Sequence, residues 1–423
     1  RLAQHGHDLG FSKSALLHQN LLVHLAEKIP LLKPLIHGED YRNMSNFSLE
    51  KTRQNAIRAM TPLTKPQTDQ RGAGKIAVFR GIPSHEYYLI FLLLVDLLDF
   101  KYMGPFEKVA YIIPVEFEDR RYSIFYAKFG MKIEYSEGGN AEAVYALLRK
   151  GMKAAKPYYL WRAETASTSS NLNLISKCPQ LWEKYIFLKK QSESLMERFE
   201  AEKNNAVVEK GKSSFGTWTT VSYPAYDFKK QSIWLHEAAV DAFFGWCEQA
   251  LVHIGVLMGR LTTGKQIADL LKQEFAEKCK LVLNFSNPYE KSAYDDILDL
   301  RVQLRNYVAH GSFGKDGSTF QFHSRVGAVP LKILDRDART EFAFGTYDAR
   351  TWERDYARID SFLNRLWSGG REPAKQYLET GFPCILTYAA DGTYNQAMQN
   401  VDEMAEFIEY LSRQIDEAAN MDF

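Results

Sequence analysis

Ile233, Val240, Phe244, Cys247, Leu251, Ile254 and Met258 follow one another at steps of 7, 4, 3, 4, 3 and 4. That is the period of a helix with one apolar face. A stripe this long commits Tyr226 to Leu261 to a single long helix, and other helices must cover its face. A second helix is expected from Gln266 to about Leu283, where Ile267, Leu271, Phe275 and Cys279 recur every four residues. A third follows the start signal Asn287-Pro288, with Tyr294, Ile297, Leu300 or Leu304, and Tyr307 or Val308 at helical spacing. A fourth runs from Trp352 to Trp367, with Tyr356, Ile359, Leu363 and Leu366 at steps of 3, 4 and 3. The fold class these stripes imply is mainly α.

The third helix ends in Arg305-Asn306-Tyr307-Val308-Ala309-His310, followed by Gly311. Glycine just past the last periodic residue favours a left-handed cap, so Arg305 sits in the last two turns and His310 where the helix stops. Five residues on an ideal helix separate two side chains by roughly 140° of arc. The helix is therefore expected to loosen near His310 if both are to face one cleft. The residue types suit RNA cleavage. RNA carries its own nucleophile, the 2′-hydroxyl, and an imidazole with a pKa of about 6.5 serves either proton role at neutral pH. A guanidinium stays charged and offers a planar fork of donors to phosphate oxygens, and Asn306 orients the phosphate or the imidazole. The same residues also read as a plain helix ending, with Arg305 on the last carbonyls or a neighbouring acid. Glu237 and Asp241, one turn apart on the first helix, read either as acidic helpers or as a solvated face that pairs with Arg301 or Arg305.

This segment resembles the HEPN family, whose motif is Arg, a polar residue, three to five further residues, then His; here three residues follow Asn306. The resemblance implies a four-helix bundle, catalytic Arg305, Asn306 and His310, and a homodimer in which two copies of the motif form one composite cleft. It implies a metal-independent endoribonuclease with no cofactor, acting on single-stranded or tRNA-like RNA, of a kind frequent among toxins and phage-defence effectors, with an antitoxin or sensor as a further partner. HEPN bundles without cleavage activity also exist, binding RNA, a nucleotide or a protein partner. The fold expected is mainly α with an α+β N-terminal module and a HEPN-like four-helix bundle carrying a β-hairpin insertion.

That hairpin is expected within Ser312–Arg350, where Thr319-Phe320-Gln321-Phe322-His323 alternates as a strand does, leaning on the motif's end; His323 reads either as a residue that reaches the cleft from there or, in preference, as a surface or packing residue. Gly259-Arg260-Leu261-Thr262-Thr263-Gly264-Lys265-Gln266 departs at one position from a phosphate-cradling loop, which wants Ser or Thr where Gln266 stands. A helical stripe precedes it instead of a strand, so Thr262 to Lys265 reads as the turn and cap between two helices.

Lys plus Arg is 53 and Asp plus Glu 52, a balance that argues against a broad, non-specific duplex binder. Four scattered cysteines, Cys178, Cys247, Cys279 and Cys384, lack the spacing of a zinc or disulfide framework. The longest apolar run, Tyr87 to Val95, is too short to cross a bilayer, and a cytoplasmic protein without membrane partners is expected. The first residue is Arg1, not Met, so no targeting signal can be judged.

Before the bundle, a mixed module of sensor or regulatory type is expected over residues 1–198, with a linker at 199–225, the bundle at 226–370 and a C-terminal extension at 371–423. Phe11 to Ile29 reads as helix, Pro66 to Gly74 as polar connector, and Tyr111 to Tyr135 as strands. From Ala143 to Ala163 there is no acidic residue, and Lys153, Lys156 and Arg162 occur with Tyr158, Tyr159 and Trp161. Cations beside flat rings suit a single RNA strand; a helix end followed by a core strand of aromatics gives the same pattern. In the extension, Ile385 to Tyr388 reads as a short strand. Asn400 and Glu403 open a last helix whose stripe Val401, Met404, Ile408, Leu411 and Ile415 either closes the same bundle or forms a dimer surface.

Overall fold

The computed structural model describes residues 47–66, 74–79, 86–128, 130–310, 320–325, 327–336, 339–344 and 351–420, with the backbone alone at 213, 303, 305–310, 320, 321, 330–336, 339–344, 351 and 352. The expected helix Phe11–Ile29 and most of the connector Pro66–Gly74 lie outside the described residues. The chain is mainly helical, with small antiparallel sheets.

The first unit begins with α1 (Leu49–Met60), capped by the Ser48 hydroxyl, which accepts from the Lys51 amide. β1 (Lys75–Phe79) follows, then α2 (Glu86–Phe91), which runs into a π-helical turn at Leu92–Leu97. The apolar run Tyr87–Val95 is thus a helix, and its Leu93, Leu94 and Leu97 are buried. β2 (Val109–Phe117), β3 (Arg120–Ala127) and β4 (Gly130–Tyr135) complete a four-stranded antiparallel sheet in the order β1-β4-β3-β2. The alternation at Met131 and Ile133 places both side chains in the core. Then come α3 (Ala141–Ala154), capped by the Asn140 side chain, and α4 (Lys156–Ser167). One apolar core joins Ile113, Val115, Ile124 and Ile133 of the sheet to Leu93, Leu94, Val144 and Leu148 of the helices.

The second unit starts at β5 (Asn173–Leu174) and α5 (Cys178–Glu202). β6 (Val207–Ser213) and β7 (Gly216–Ser222) form an antiparallel ribbon, and α6 (Ala225–Leu257) carries the long apolar stripe. α7 (Gly264–Leu271), α8 (Phe275–Val282) and α9 (Pro288–His310) follow. β8 (Phe320–Ser324), β9 (Gly327–Arg336) and β10 (Arg339–Phe344) make a three-stranded sheet, where two strands were expected. α10 (Thr351–Leu366) and α11 (Glu372–Thr380) come next, then β11 (Cys384–Ile385), which pairs with β5. α12 (Leu386–Ala390) occupies most of the expected strand Ile385–Tyr388, and α13 (Thr393–Ala397) and α14 (Val401–Asn420) close the unit.

Three expectations are corrected. The helix expected from Gln266 to Leu283 is two, α7 and α8. Apolar residues spaced by four drift about 40° per step around a straight helix, so the stripe would leave the core. The break between Leu271, which is exposed, and Phe275, which is buried, resets it. Next, residues 199–225 are not a linker: they hold the end of α5, the β6–β7 ribbon and the start of α6. Finally, the second core takes in Cys178 and Tyr185 on one side and Tyr377, Met404, Leu411 and Ile415 on the other. α5 therefore belongs with α6 and not with a module ending at 198, and the last helix covers the core of its own chain. No helix among the described residues is long and apolar enough to cross a membrane.

Candidate functional site

α9 is held firmly at its start. The Asn287 side chain accepts from the Tyr289 amide at 3.0 Å. Next to it Glu290 is buried against Arg371, Oε1 to Nη2 at 3.1 Å, and its other oxygen accepts from the Asn284 amide at 2.8 Å. Arg371 also donates to the carbonyls of Leu366 and Arg365, which ties the end of α10 to the start of α9. Buried Tyr294, Ile297 and Leu300 then pin the helix to the core.

The helix runs without interruption to His310. The expected loosening is absent, so positions 305 and 310 stay roughly 140° apart about one axis. Arg305, Asn306 and His310 all lie on the last two turns; their side chains lie outside the described residues.

Contacts around Arg301 fix where that end of α9 lies. Arg301, one turn before Arg305, pairs with Glu248 of α6 at 2.5 Å, and its guanidinium sits 4.5 Å from the Phe275 ring centre. Lys278 of α8 reaches the other Glu248 oxygen at 2.7 Å. Burial pushes the Glu248 carboxyl up, but the hydrogen bond from Lys278 and the charge of Arg301 outweigh it and hold the pKa below the usual carboxylate value. Asp299 pairs with Arg358 of α10. The partner of Arg301 is thus Glu248, neither Glu237 nor Asp241; Asp241 is exposed and Glu237 half-buried.

α10 runs parallel to α6: Tyr356 meets His236, Phe362 meets Phe243, and Trp367 meets Trp246. Glu290 pairs with Arg371 just beyond α10 and Asp299 with Arg358 within it, so α9 runs antiparallel to α10, while Arg301 meets Phe244 and Glu248 of α6. α9 therefore runs antiparallel to α6. Nine residues beyond Arg301 carry its backbone about 13 Å further, toward the level of His236.

At that level His236 donates from Nε2 to Asp355 at 3.0 Å, with side chains only 12% and 14% exposed. Its Nδ1 is buried and has no hydrogen-bond partner among the described residues. Sequence reasoning missed this pair. It joins residues 119 positions apart, so no local motif announces it. His253, in contrast, lies in the core: its Nδ1 donates to the Gln249 carbonyl and burial pushes its pKa down.

The basic and aromatic run does not form a surface for bases. Tyr158 and Tyr159 are buried in the first core, and Tyr159 donates its hydroxyl proton to the Leu89 carbonyl at 3.0 Å. Trp161 stacks on Phe47 at 5.2 Å and Arg162 pairs with Asp96 at 3.6 Å. Lys153, at the end of α3, and Lys156, at the start of α4, are exposed and make no such contact among the described residues. The rings lie on a helix, where the packing alternative was a core strand; Tyr158 and Tyr159 are buried and Trp161 is half-buried against Phe47.

The phosphate-loop look-alike is two helix caps. Gly259, at φ +66°, is the left-handed residue after α6, and the Arg260 amide returns to the Gly255 carbonyl at 2.9 Å. Thr263 then caps α7 through a reciprocal pair with Gln266, the residue that spoils the phosphate motif. All four cysteines are free and buried, and burial pushes Cys178 up to about 11 and Cys279 up to about 12, so neither is a thiolate at neutral pH. His323 is exposed on β8, opposite Ala328. Among the described residues no three His, Cys, Asp or Glu side chains converge as a metal set.

No family model, no curated protein and no solved structure matches this chain.

Proposed function

We propose that the chain is a metal-independent endoribonuclease of the HEPN type, working as a homodimer on single-stranded or tRNA-like RNA as a toxin or phage-defence effector. The observation that supports this reading best is the course of α9. A single helix, anchored by the Glu290–Arg371 pair, carries Arg305, Asn306 and His310 on its last two turns within a mainly helical body. Two positions about 140° apart on a straight helix face different directions. A second copy meeting the same end supplies the missing member to each side, so dimerisation becomes a condition of activity. The first unit, with its own core, then acts as sensor or regulator, and an antitoxin or sensor protein is a further partner.

In the reaction, a His310 imidazole takes the 2′-hydroxyl proton, O2′ attacks the adjacent phosphorus, and the P–O5′ bond breaks. The 5′-oxygen accepts a proton from the second imidazole, leaving a 2′,3′-cyclic phosphate. Arg305 balances the charge that grows on the non-bridging oxygens, and Asn306 orients the phosphate.

The purified chain is expected to cut single-stranded RNA in excess EDTA as fast as in magnesium. Intact RNA in EDTA, with binding retained, favours the other reading: a non-catalytic HEPN module that binds RNA, a nucleotide or a protein partner.

A further inference from the structure

The β6–β7 ribbon has no covered face. β7 is exposed along its whole length and β6 at 207–210 and 212, with Gly211 half-buried, and each strand has a free edge among the described residues. An isolated two-stranded hairpin is marginal in water, yet this one is stiffened internally. Trp218 lies flat over Gly211, across the strand pair, where an added Cβ would meet the indole at 2.3 Å. Its base is clamped where Met196 and Phe199 of α5 pack on Ala225 of α6, with the Arg198 guanidinium 4.0 Å from the Phe228 ring centre. α5 and α6 run antiparallel, Trp182 beside Trp246 at one end and Phe199 beside Tyr226 at the other, so the ribbon projects from their far end as an arm.

The register sorts the arm's side chains. Lys210 and Lys212 share a face with Thr217 and Thr219, while Trp218 lies on the opposite one. Both lysines are exposed and make no ion pair among the described residues. At the turn, the Phe215 ring is 100% exposed.

From this arrangement we propose that the β6–β7 arm is a binding site for single-stranded RNA. Phosphates run along Lys210 and Lys212, the Thr217 and Thr219 hydroxyls donate to them, and an unstacked base covers Phe215. A second copy of the chain is the poorer occupant, because a two-fold contact through this face would bring like lysines together and edge lysines oppose strand pairing. Duplex fits the exposed ring less well, since its bases are already stacked. The arm also leaves the bundle at the end where α9 finishes. From the level of His236 to Ala225 is about 16 Å of helix, a span that several nucleotides cover, so a strand held on the arm can reach the end of α9. In naming where substrate is gripped, the proposal rests on the ribonuclease reading above.

The test uses the full chain, a fluorescein-labelled 20-nucleotide mixed-sequence RNA and anisotropy in EDTA across a salt series, with the labelled 20-base-pair DNA duplex alongside. Lys210→Ala/Lys212→Ala is expected to lower the slope of log K against log salt by about 1.4, at roughly 0.7 per charge on a single strand. Phe215→Ala is expected to weaken RNA binding about tenfold and to leave the far-ultraviolet circular dichroism unchanged. An unaltered slope together with unaltered affinity overturns the proposal. So does a change of oligomeric mass in either variant, which makes the arm a subunit contact, or an equal loss on duplex. If the parent cuts no RNA while both variants lose binding, the arm stands and the ribonuclease reading falls. If the parent cuts RNA and the variants bind as it does, only the arm falls.

Discussion

His310→Ala lowers the rate of RNA cleavage by about 10² to 10⁴ fold, the contribution of a positioned general acid or base, and leaves the melting temperature where it was. Position 310 is the last residue of α9, ten residues beyond the buried Leu300 that pins the helix to the core. Arg305→Ala costs a comparable factor through lost charge stabilisation. Arg305→Lys does not restore the rate, because a point charge cannot make the planar two-donor contact to a phosphate. Single-turnover cleavage measured in parallel with thermal unfolding separates these outcomes. A His310→Ala protein that cuts as fast as its parent returns the motif to the status of a helix ending.

Glu290→Ala is expected to destabilise the second unit by about 3–5 kcal/mol, the usual consequence of stripping one partner from a buried ion pair. The pair is 7% and 5% exposed, so water cannot replace the lost carboxylate, and the Asn284 amide loses its acceptor as well. Glu290→Gln keeps that acceptor and the volume, and falls between the two. Urea unfolding followed by tryptophan fluorescence reads both variants, since Trp182, Trp246 and Trp367 cluster in this core. A loss below 1 kcal/mol for Glu290→Ala would mean the pair does not bind α9 to the end of α10.

Where a helix buries a wholly apolar stripe, the sequence displays it: α6, α9, α10 and α14 are visible as steps of three and four. α5 follows the same rhythm through Trp182, Tyr185, Met196 and Phe199, but the polar Lys189 and Ser192 occupy the stripe positions between them. Ser192 is buried because it exchanges hydrogen bonds with Ser232 of α6, a long-range pairing that no local pattern records. The β6–β7 ribbon reads as a linker for a related reason: with both faces in water it has no inner side, hence no alternation to detect. Tyr158 and Tyr159 illustrate the reverse error. A ring beside lysines looks the same in sequence whether it faces a base or a core, and burial alone decides. Within the candidate site, the Arg305 to His310 spacing was legible, while the straightness of α9 and the His236–Asp355 pair were not. Both depend on neighbours more than 50 residues away in the chain, Glu248 at Arg301 and Asp355 at His236.

The most direct measurement takes two RNA substrates of one sequence, one with a single 2′-deoxy sugar at the scissile position, and analyses their products in EDTA by mass spectrometry. The account predicts that the all-ribose strand yields a 2′,3′-cyclic phosphate and a 5′-hydroxyl end, and that the substituted strand survives at that position. Cleavage of the deoxy-substituted strand at the same bond, or products bearing a 5′-phosphate, would contradict it, because the 2′-hydroxyl would then not be the nucleophile.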